Sequence, residues 1–353
     1  MSYTTREIKL RESIEIRKPE AWKKIQQIPQ RIKEGKSIAL MQLQYSYVCN
    51  QKCSHCAIEK FKINLKGKKM NSNDVAIIAN QAHNYGLYSI CLSGGEPTIF
   101  PDLEQVIDAI KPERFVLSMD TNGYKLSEEK IKWLVEKGVD RIHLSIDGLE
   151  ENHDEFRHKP GAWKHNIEML PICKENGLGV VINIVATKDL VRSKEIEKQL
   201  EFLKQFNFHS SLIYAKPVGT FEQAKDQVLN SVEFEYLETL TKKYNCSTHL
   251  TINNGLDIGC LCYKRHFSIL PNGESLPCPW IPISMGNVLE EGLETILNRG
   301  LSNPWFSWEN KFTCHSGNED SYFYQNIISQ IENHKEYPVS YNKIDWHLEY
   351  FKK

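Results

Sequence analysis

The chain has 353 residues, 41% of them hydrophobic and 25% charged, with a formal net charge of -1. That length allows one large or two ordinary domains with a sizeable core, and the charge balance gives no global basic field for nucleic acid or an anionic membrane. No run approaches the roughly 18 consecutive apolar residues of a membrane span, and the N-terminus MSYTTREIKLRESIEIRKPE lacks the apolar middle of a secretory signal. The expectation is a whole cytoplasmic product with no membrane or nucleic-acid partner. Its ten cysteines should then be reduced and serve as metal ligands, catalysts or buried packing.

No internal repeat or low-complexity segment interrupts the chain. Residues 1–38 read as a charged helical lead-in, in which Pro19-Glu20 opens a helix and Pro29 interrupts it. From Ser37, short β-rich runs alternate with amphipathic helical stretches. The predicted strands are residues 40–47, 88–92, 114–119, 141–146, 179–186 and 211–214, and the helical patterns lie at 71–86, 126–138, 163–176 and 193–206. Asn71 or Ser72 can cap the first of these helices and Gly86 can stop it. Ser127 can cap the second, with Glu128 and Glu129 in the first turn, where the helix dipole favours negative charge. Five lysines between Lys60 and Lys69 read as a solvated loop.

Strand–helix alternation over residues 39–245 implies a parallel sheet with right-handed crossovers. Six units are fewer than an eight-fold barrel needs, and ligands of parallel α/β folds sit at the carboxyl ends of the strands. Cysteine, proline and glycine become dense in 246–320. That is the texture of a small loop-rich unit of the kind a metal site holds together. Residues 321–353 read as a helical tail whose aromatics point to packing.

The first strand runs into Cys49-Asn-Gln-Lys-Cys53-Ser-His-Cys56. Soft thiolates favour iron–sulfur clusters or zinc. A structural zinc site closes with four ligands, and here only three are local. The second strand ends in Ser93-Gly94-Gly95-Glu96-Pro97, where glycines allow close backbone approach and a carboxylate can accept from an ammonium.

The C-x3-C-x2-C triplet at the end of the first strand, followed by GGEP, resembles the signature of the radical S-adenosylmethionine (SAM) superfamily. The resemblance implies a partial (βα)6 barrel. In it Cys49, Cys53 and Cys56 hold a 4Fe–4S cluster whose open iron is chelated by SAM. One electron, from a donor such as flavodoxin or ferredoxin, cleaves SAM to a 5′-deoxyadenosyl radical that abstracts a substrate hydrogen. By the same resemblance Gly94, Gly95, Glu96 and Pro97 face the SAM amino group. Ser118 and Asn122 after the third strand resemble ribose contacts. Ser145, in Ser145-Ile-Asp147-Gly148, and Arg157 resemble carboxylate contacts. An ordinary strand-to-loop turn with a surface arginine is the alternative for these last two segments.

The C-terminal cysteines form a second group, Cys260, Cys262, Cys278 and Cys314. Pro271-Asn272-Gly273 reads as a tight turn joining strands at 267–270 and 274–276, which would bring Cys262 near Cys278. This segment resembles the twitch and SPASM auxiliary-cluster domains, and four cysteines fit the shorter twitch form with one auxiliary 4Fe–4S cluster. Zinc on the same four residues, or Cys260 as a bystander, are the other readings, and Arg265 stands where the family often has glycine. Cys91 and Cys173 read as buried packing. Cys246 reads as a candidate hydrogen-atom donor. The resemblance spans about residues 40–315 and implies modification of a ribosomally made precursor peptide, by epimerisation or crosslinking. The alternative is oxidation, epimerisation or decarboxylation of a sugar, aminocyclitol or nucleoside. A non-catalytic metal-stabilised binding protein would show no SAM cleavage.

Overall fold

The computed structural model describes residues 13–251, 257–331 and 334–352. The first twelve residues of the expected lead-in and the last residue of the expected tail lie outside them. The lead-in forms helices Pro19–Gln26 and Ile28–Lys33, broken before Pro29.

Six strands follow in the expected order: β1 (Leu40–Ser46), β2 (Ser89–Gly94), β3 (Val116–Thr121), β4 (Arg141–Ser145), β5 (Gly179–Ala186) and β6 (His209–Tyr214). Each pairs in parallel with the next. Helices return the chain between them and shield the outer face. Helix Ser72–Tyr85 shows why the sequence folds this way. Asn71 and Asp74 close a reciprocal cap, Gly86 ends the helix in left-handed geometry, and Val75, Ile78, Ala79 and Ala82 are its buried stripe. Along β5, Val180, Ile182, Ile184 and Ala186 are buried outward, while Val181, Asn183 and Val185 are half-buried toward the interior. Burying each aliphatic side chain contributes roughly 1.5–3 kcal/mol. The inner face is therefore free to carry polar residues.

The cysteine-rich segment is joined to this sheet. β7 (Cys246–Thr248) extends it beyond β6, while β8 (His266–Ile269) pairs in parallel with β1, and β9 (Ser275–Leu276) runs antiparallel to β8. Ile38 N–H donates to the Lys264 carbonyl (2.9 Å) and Leu40 N–H to that of Arg265 (3.0 Å). The open edge of β1 thus takes up the hairpin, and one nine-stranded sheet spans the expected boundary near residue 245. The tail departs from its expectation. It is helical over Tyr324–Ile331, and then β11 (Val339–Ser340) pairs with β10 (Ile283–Ser284). Trp305 anchors its end: the indole N–H donates to the Trp346 carbonyl (2.7 Å), and Tyr322 and Tyr350 stack on the ring. No helix among the described residues is long and apolar enough to cross a membrane.

Candidate active site

A cavity of about 220 Å³ opens at the carboxyl ends of the strands. Cys49, Cys53 and Cys56 line it, on the loop that leaves β1. The loop is tied on three sides. Ser54 N–H donates to the Phe156 carbonyl (3.0 Å), Thr220 N–H to the Cys56 carbonyl (3.1 Å), and Asn122 Nδ2 to Asn50 Oδ1 (2.8 Å). His55 stacks on Phe156 at 4.2 Å, and burial brings its pKa down to about 3, so it stays neutral. Burial raises all three thiols, Cys56 to about 11.

Gly94 and Gly95 also line the cavity. A Cβ on Gly94 would lie 2.2 Å from the Ser46 carbonyl oxygen, and one on Gly95 would lie 2.1 Å from that of Val48. Gly95 N–H and Glu96 N–H donate to those same carbonyls (2.8 and 2.9 Å). The two glycines let β2 press against the cysteine loop. Glu96 and Pro97 do not line the cavity. The Glu96 side chain is 0% exposed. Its Oε1 accepts from Thr98 N–H (3.1 Å), Thr98 Oγ1 (2.6 Å) and Thr121 Oγ1 (2.7 Å), and its Oε2 accepts from Asn122 N–H (2.6 Å). These bonds make Glu96 a tie between the β2 and β3 loops, with Oε2 holding a single donor.

On β3, Asn122 lines the cavity but Ser118 does not. The Ser118 hydroxyl donates to the Ile90 carbonyl (3.4 Å), deeper in the barrel. Ser145 lines the cavity at the end of β4. Arg157 lines it too, yet its guanidinium is already committed. Nε donates to Asp147 Oδ2 (2.7 Å), a second nitrogen pairs with the same oxygen, and Nη1 points at Cys53 Sγ (3.8 Å). Burial alone would raise the Asp147 carboxyl, but Arg157 holds it below the usual range. Asp147 is held in turn by Val185 N–H (2.7 Å), and its own N–H donates to His153 Nδ1 (2.9 Å). Cys246 is not brought to the cavity. It pairs with Ser210, on the face of the sheet opposite Ser211 and Ile213, and burial pushes its thiol up to about 12.

Gln42, Gln44, Asp120, Asn183, Lys216 and Trp280 line the cavity without having been singled out from the sequence. For Gln42, Gln44, Asp120 and Asn183, which lie on strands, the signal is alternation, while Lys216 and Trp280 lie in loops and carry none. Polar residues recur at every second position of strands whose other face is apolar. Lys216 Nζ donates to the Tyr214 carbonyl (2.7 Å) and sits 4.1 Å from the Trp280 ring. Trp280 follows Cys278 by two residues, so this wall of the cavity is continuous in the chain with the second cysteine group, none of whose thiols lines it.

In that group Cys260 and Cys262 Sγ lie 3.5 Å apart, Cys262 contacts Cys278, and Cys314 interacts with Cys260 and Cys278. Cys260, Cys262 and Cys314 are buried, and Cys260 N–H donates to the Phe312 carbonyl (2.8 Å), joining the two ends of the segment.

Both groups fit iron–sulfur clusters. Each gathers free thiols, half-buried on the cavity wall in the triplet and mostly buried in the second group, and such thiols become thiolates when a cation is supplied. Around the triplet, the buried Asn50 Nδ2, Gln51 Nε2 and His55 Nδ1 have no partner among the described residues. They remain available to sulfide or to a ligand.

Residues 43–203 match the model of the radical SAM superfamily, and residues 260–316 match that of an iron–sulfur cluster-binding domain, SPASM. An AdoMet-dependent heme synthase of Nitratidesulfovibrio vulgaris is 25% identical over 68% of this chain and 73% of its own length. A probable GTP 3′,8-cyclase of Methanocella arvoryzae is 25% identical over 79% and 95%. Among solved structures, Streptococcus suis SuiB bound to S-adenosylmethionine shares the fold with a TM-score of 0.58, at 18% identity over 81% of this chain and 70% of that one. The structure of anSMEcpe with bound AdoMet gives 0.53 at 19% identity, over 76% and 82%. This chain is a radical SAM enzyme. Within that superfamily it is one that carries a C-terminal SPASM/twitch-like domain, and its cofactors are SAM, a SAM-binding 4Fe–4S cluster and auxiliary iron–sulfur.

Proposed function

We propose that the enzyme modifies a ribosomally made precursor peptide at an unactivated carbon, by epimerisation or crosslinking. One observation carries the reading: a single chamber is lined by the cysteine triplet on one side and by Pro279 and Trp280, beside Cys278, on the other. A substrate there lies between the two cysteine groups. Two solved structures that share the fold hold peptides, SuiB its precursor peptide SuiA and anSMEcpe the Cp18Cys peptide. The relatives named heme synthase and GTP 3′,8-cyclase favour a second reading, a small heterocyclic metabolite.

In this proposal Cys49, Cys53 and Cys56 hold the SAM-binding cluster, and Cys260, Cys262, Cys278 and Cys314 hold the auxiliary one. Bound there, SAM and its cluster supply a hydrogen-abstracting radical when one electron arrives from a flavodoxin- or ferredoxin-like donor. Gly94 and Gly95 set the depth of the cysteine loop, and Glu96 fixes the loop opposite. Asn122, Ser145 and Asn183 present hydrogen-bonding groups to SAM and substrate. Arg157, oriented by Asp147, keeps positive charge beside Cys53. Lys216 and Trp280 form the wall nearer the auxiliary site.

The test is turnover with SAM, reductant and the short peptides encoded beside the gene. The expected result is 5′-deoxyadenosine formed in step with a peptide that loses two hydrogens or, in heavy water, gains one deuterium. Unmodified peptides, with turnover supported by a tetrapyrrole or nucleotide, would replace this reading by the second.

A further inference from the structure

Three side chains that the reading above does not use converge inside the barrel. Cys91, on β2, occupies the same face as Ser93. Asp120, on β3, pairs with His143 on β4, and His143 shares the face of Ser145. Ser93, Asp120 and Ser145 all line the chamber, so all three strands present this set inward. Cys91 Sγ lies 3.3 Å from Asp120 Oδ1 and 3.7 Å from His143 Nδ1, and His143 Nδ1 lies 2.8 Å from Asp120 Oδ1. One sulfur, one oxygen and one nitrogen thus form a compact triangle.

The size of that triangle is informative. A tetrahedral zinc ion, with a sulfur at about 2.3 Å and nitrogen and oxygen at about 2.0–2.1 Å, spaces its ligand atoms by roughly 3.3–3.6 Å. The two sulfur-containing sides, 3.3 and 3.7 Å, come within about 0.3 Å of that spacing, and the third needs to open by roughly half an ångström. The donor set suits such an ion as well. A thiolate and a carboxylate neutralise a divalent charge, and imidazole with thiolate selects zinc or ferrous iron over magnesium or calcium.

Two further observations point the same way. Gln42 Nε2 donates to the other Asp120 oxygen, Oδ2, at 2.9 Å, which leaves Oδ1 turned to the triangle. This is how outer partners orient a metal-binding carboxylate. His266, on β8, sits two residues before Ser268, which pairs with Gln42, and so shares the inward face. Its Nε2 is buried with no hydrogen-bond partner among the described residues.

We propose that Cys91, Asp120 and His143 bind a divalent transition metal of the zinc class, separate from both iron–sulfur sites, with its remaining coordination position open to the substrate chamber. Binding forms a metal–thiolate bond and releases the Cys91 proton to solvent, with no change of oxidation state. A carbonyl, carboxylate or amine of the substrate is the ligand the open position takes. The site stands whether the substrate is a peptide or a metabolite.

The test uses holoprotein whose iron–sulfur sites have been filled anaerobically, incubated with zinc and desalted. Wild type should retain about one zinc per chain above its iron. Its X-ray absorption should show one sulfur at about 2.3 Å and nitrogen or oxygen at about 2.0–2.1 Å. Cys91→Ser and His143→Gln should each lose that zinc while keeping wild-type iron and circular dichroism. His143 is partly exposed, which keeps the test available if Cys91→Ser does not fold. No retained zinc, an all-sulfur shell, equal zinc in the variants, or zinc lost only together with iron would overturn the proposal.

Discussion

Gly95→Ala adds one methyl group where there is no room. The new Cβ would lie 2.1 Å from the Val48 carbonyl oxygen and 2.6 Å from its carbon. Restoring an ordinary contact takes a shift of roughly 1 Å. β2 is held by two parallel neighbours, so the loop yields, and Cys49 is the residue after Val48. Overpacking of this kind costs about 1–3 kcal/mol, and a 1 Å displacement of reacting groups costs on the order of 100-fold in rate. The assay is 5′-deoxyadenosine formation per cluster, with iron counted on the same sample. The variant should fold and turn over about 100-fold more slowly. The control is Gly161→Ala, at a site with nothing within 4 Å and a left-handed φ of +76°. It should lose about 1–2 kcal/mol of stability and keep its rate per cluster. A Gly95→Ala enzyme with wild-type rate and iron content would refute the reasoning that these glycines set the position of the loop.

Glu96→Gln places an amide N–H₂ among four donors, and one buried donor loses its acceptor. The variant should lose about 1–3 kcal/mol in denaturant unfolding; a direct SAM contact would instead weaken SAM binding at unchanged stability. His153 is buried, and its Nδ1 accepts the Asp147 N–H, so burial brings its pKa from 6.5 down to about 4. The depressed pKa stabilises the fold above pH 6.5, and that contribution, about 3 kcal/mol, is lost as pH falls toward 4. His153→Gln should flatten the stability profile across that window, and an unchanged profile would show that His153 does not carry it. Cys262→Ala should remove the auxiliary cluster alone, lowering iron from about eight to about four per chain, while SAM cleavage without substrate persists. Loss of all iron would show that the two cysteine groups do not fill independently.

The barrel was legible because its signals are local. Caps at Asn71 and Ser127, apolar stripes and β-rich runs place the strands to within a few residues, and the cysteine triplet lies in one loop. What was missed depends on register. Cys91 and Asp120 are 29 residues apart, and Asp120 and His143 are 23 apart, so strand pairing alone makes them neighbours. Cys91 reads as packing and is buried at 2% exposure, while its nearness to Asp120 and His143 comes from strand pairing. The hydrogen bonds of Glu96 to Thr121 and Asn122, 25 and 26 residues away, are likewise set by the pairing of β2 with β3. Cys246 begins a strand of three residues, too short for alternation to reveal which face it takes. The union of β8 with β1 joins segments more than 200 residues apart. The aromatic tail has helical spacing, yet Trp305 and β10 draw it into short irregular pieces.

Iron and sulfide content after anaerobic reconstitution, with 5′-deoxyadenosine assayed after dithionite and SAM, tests the central claim most directly when wild type is compared with the Cys49→Ala/Cys53→Ala/Cys56→Ala variant. About eight irons in wild type, about four in the variant, and deoxyadenosine from wild type alone are the results expected. Zinc in place of iron, or deoxyadenosine from the triple variant, would contradict it.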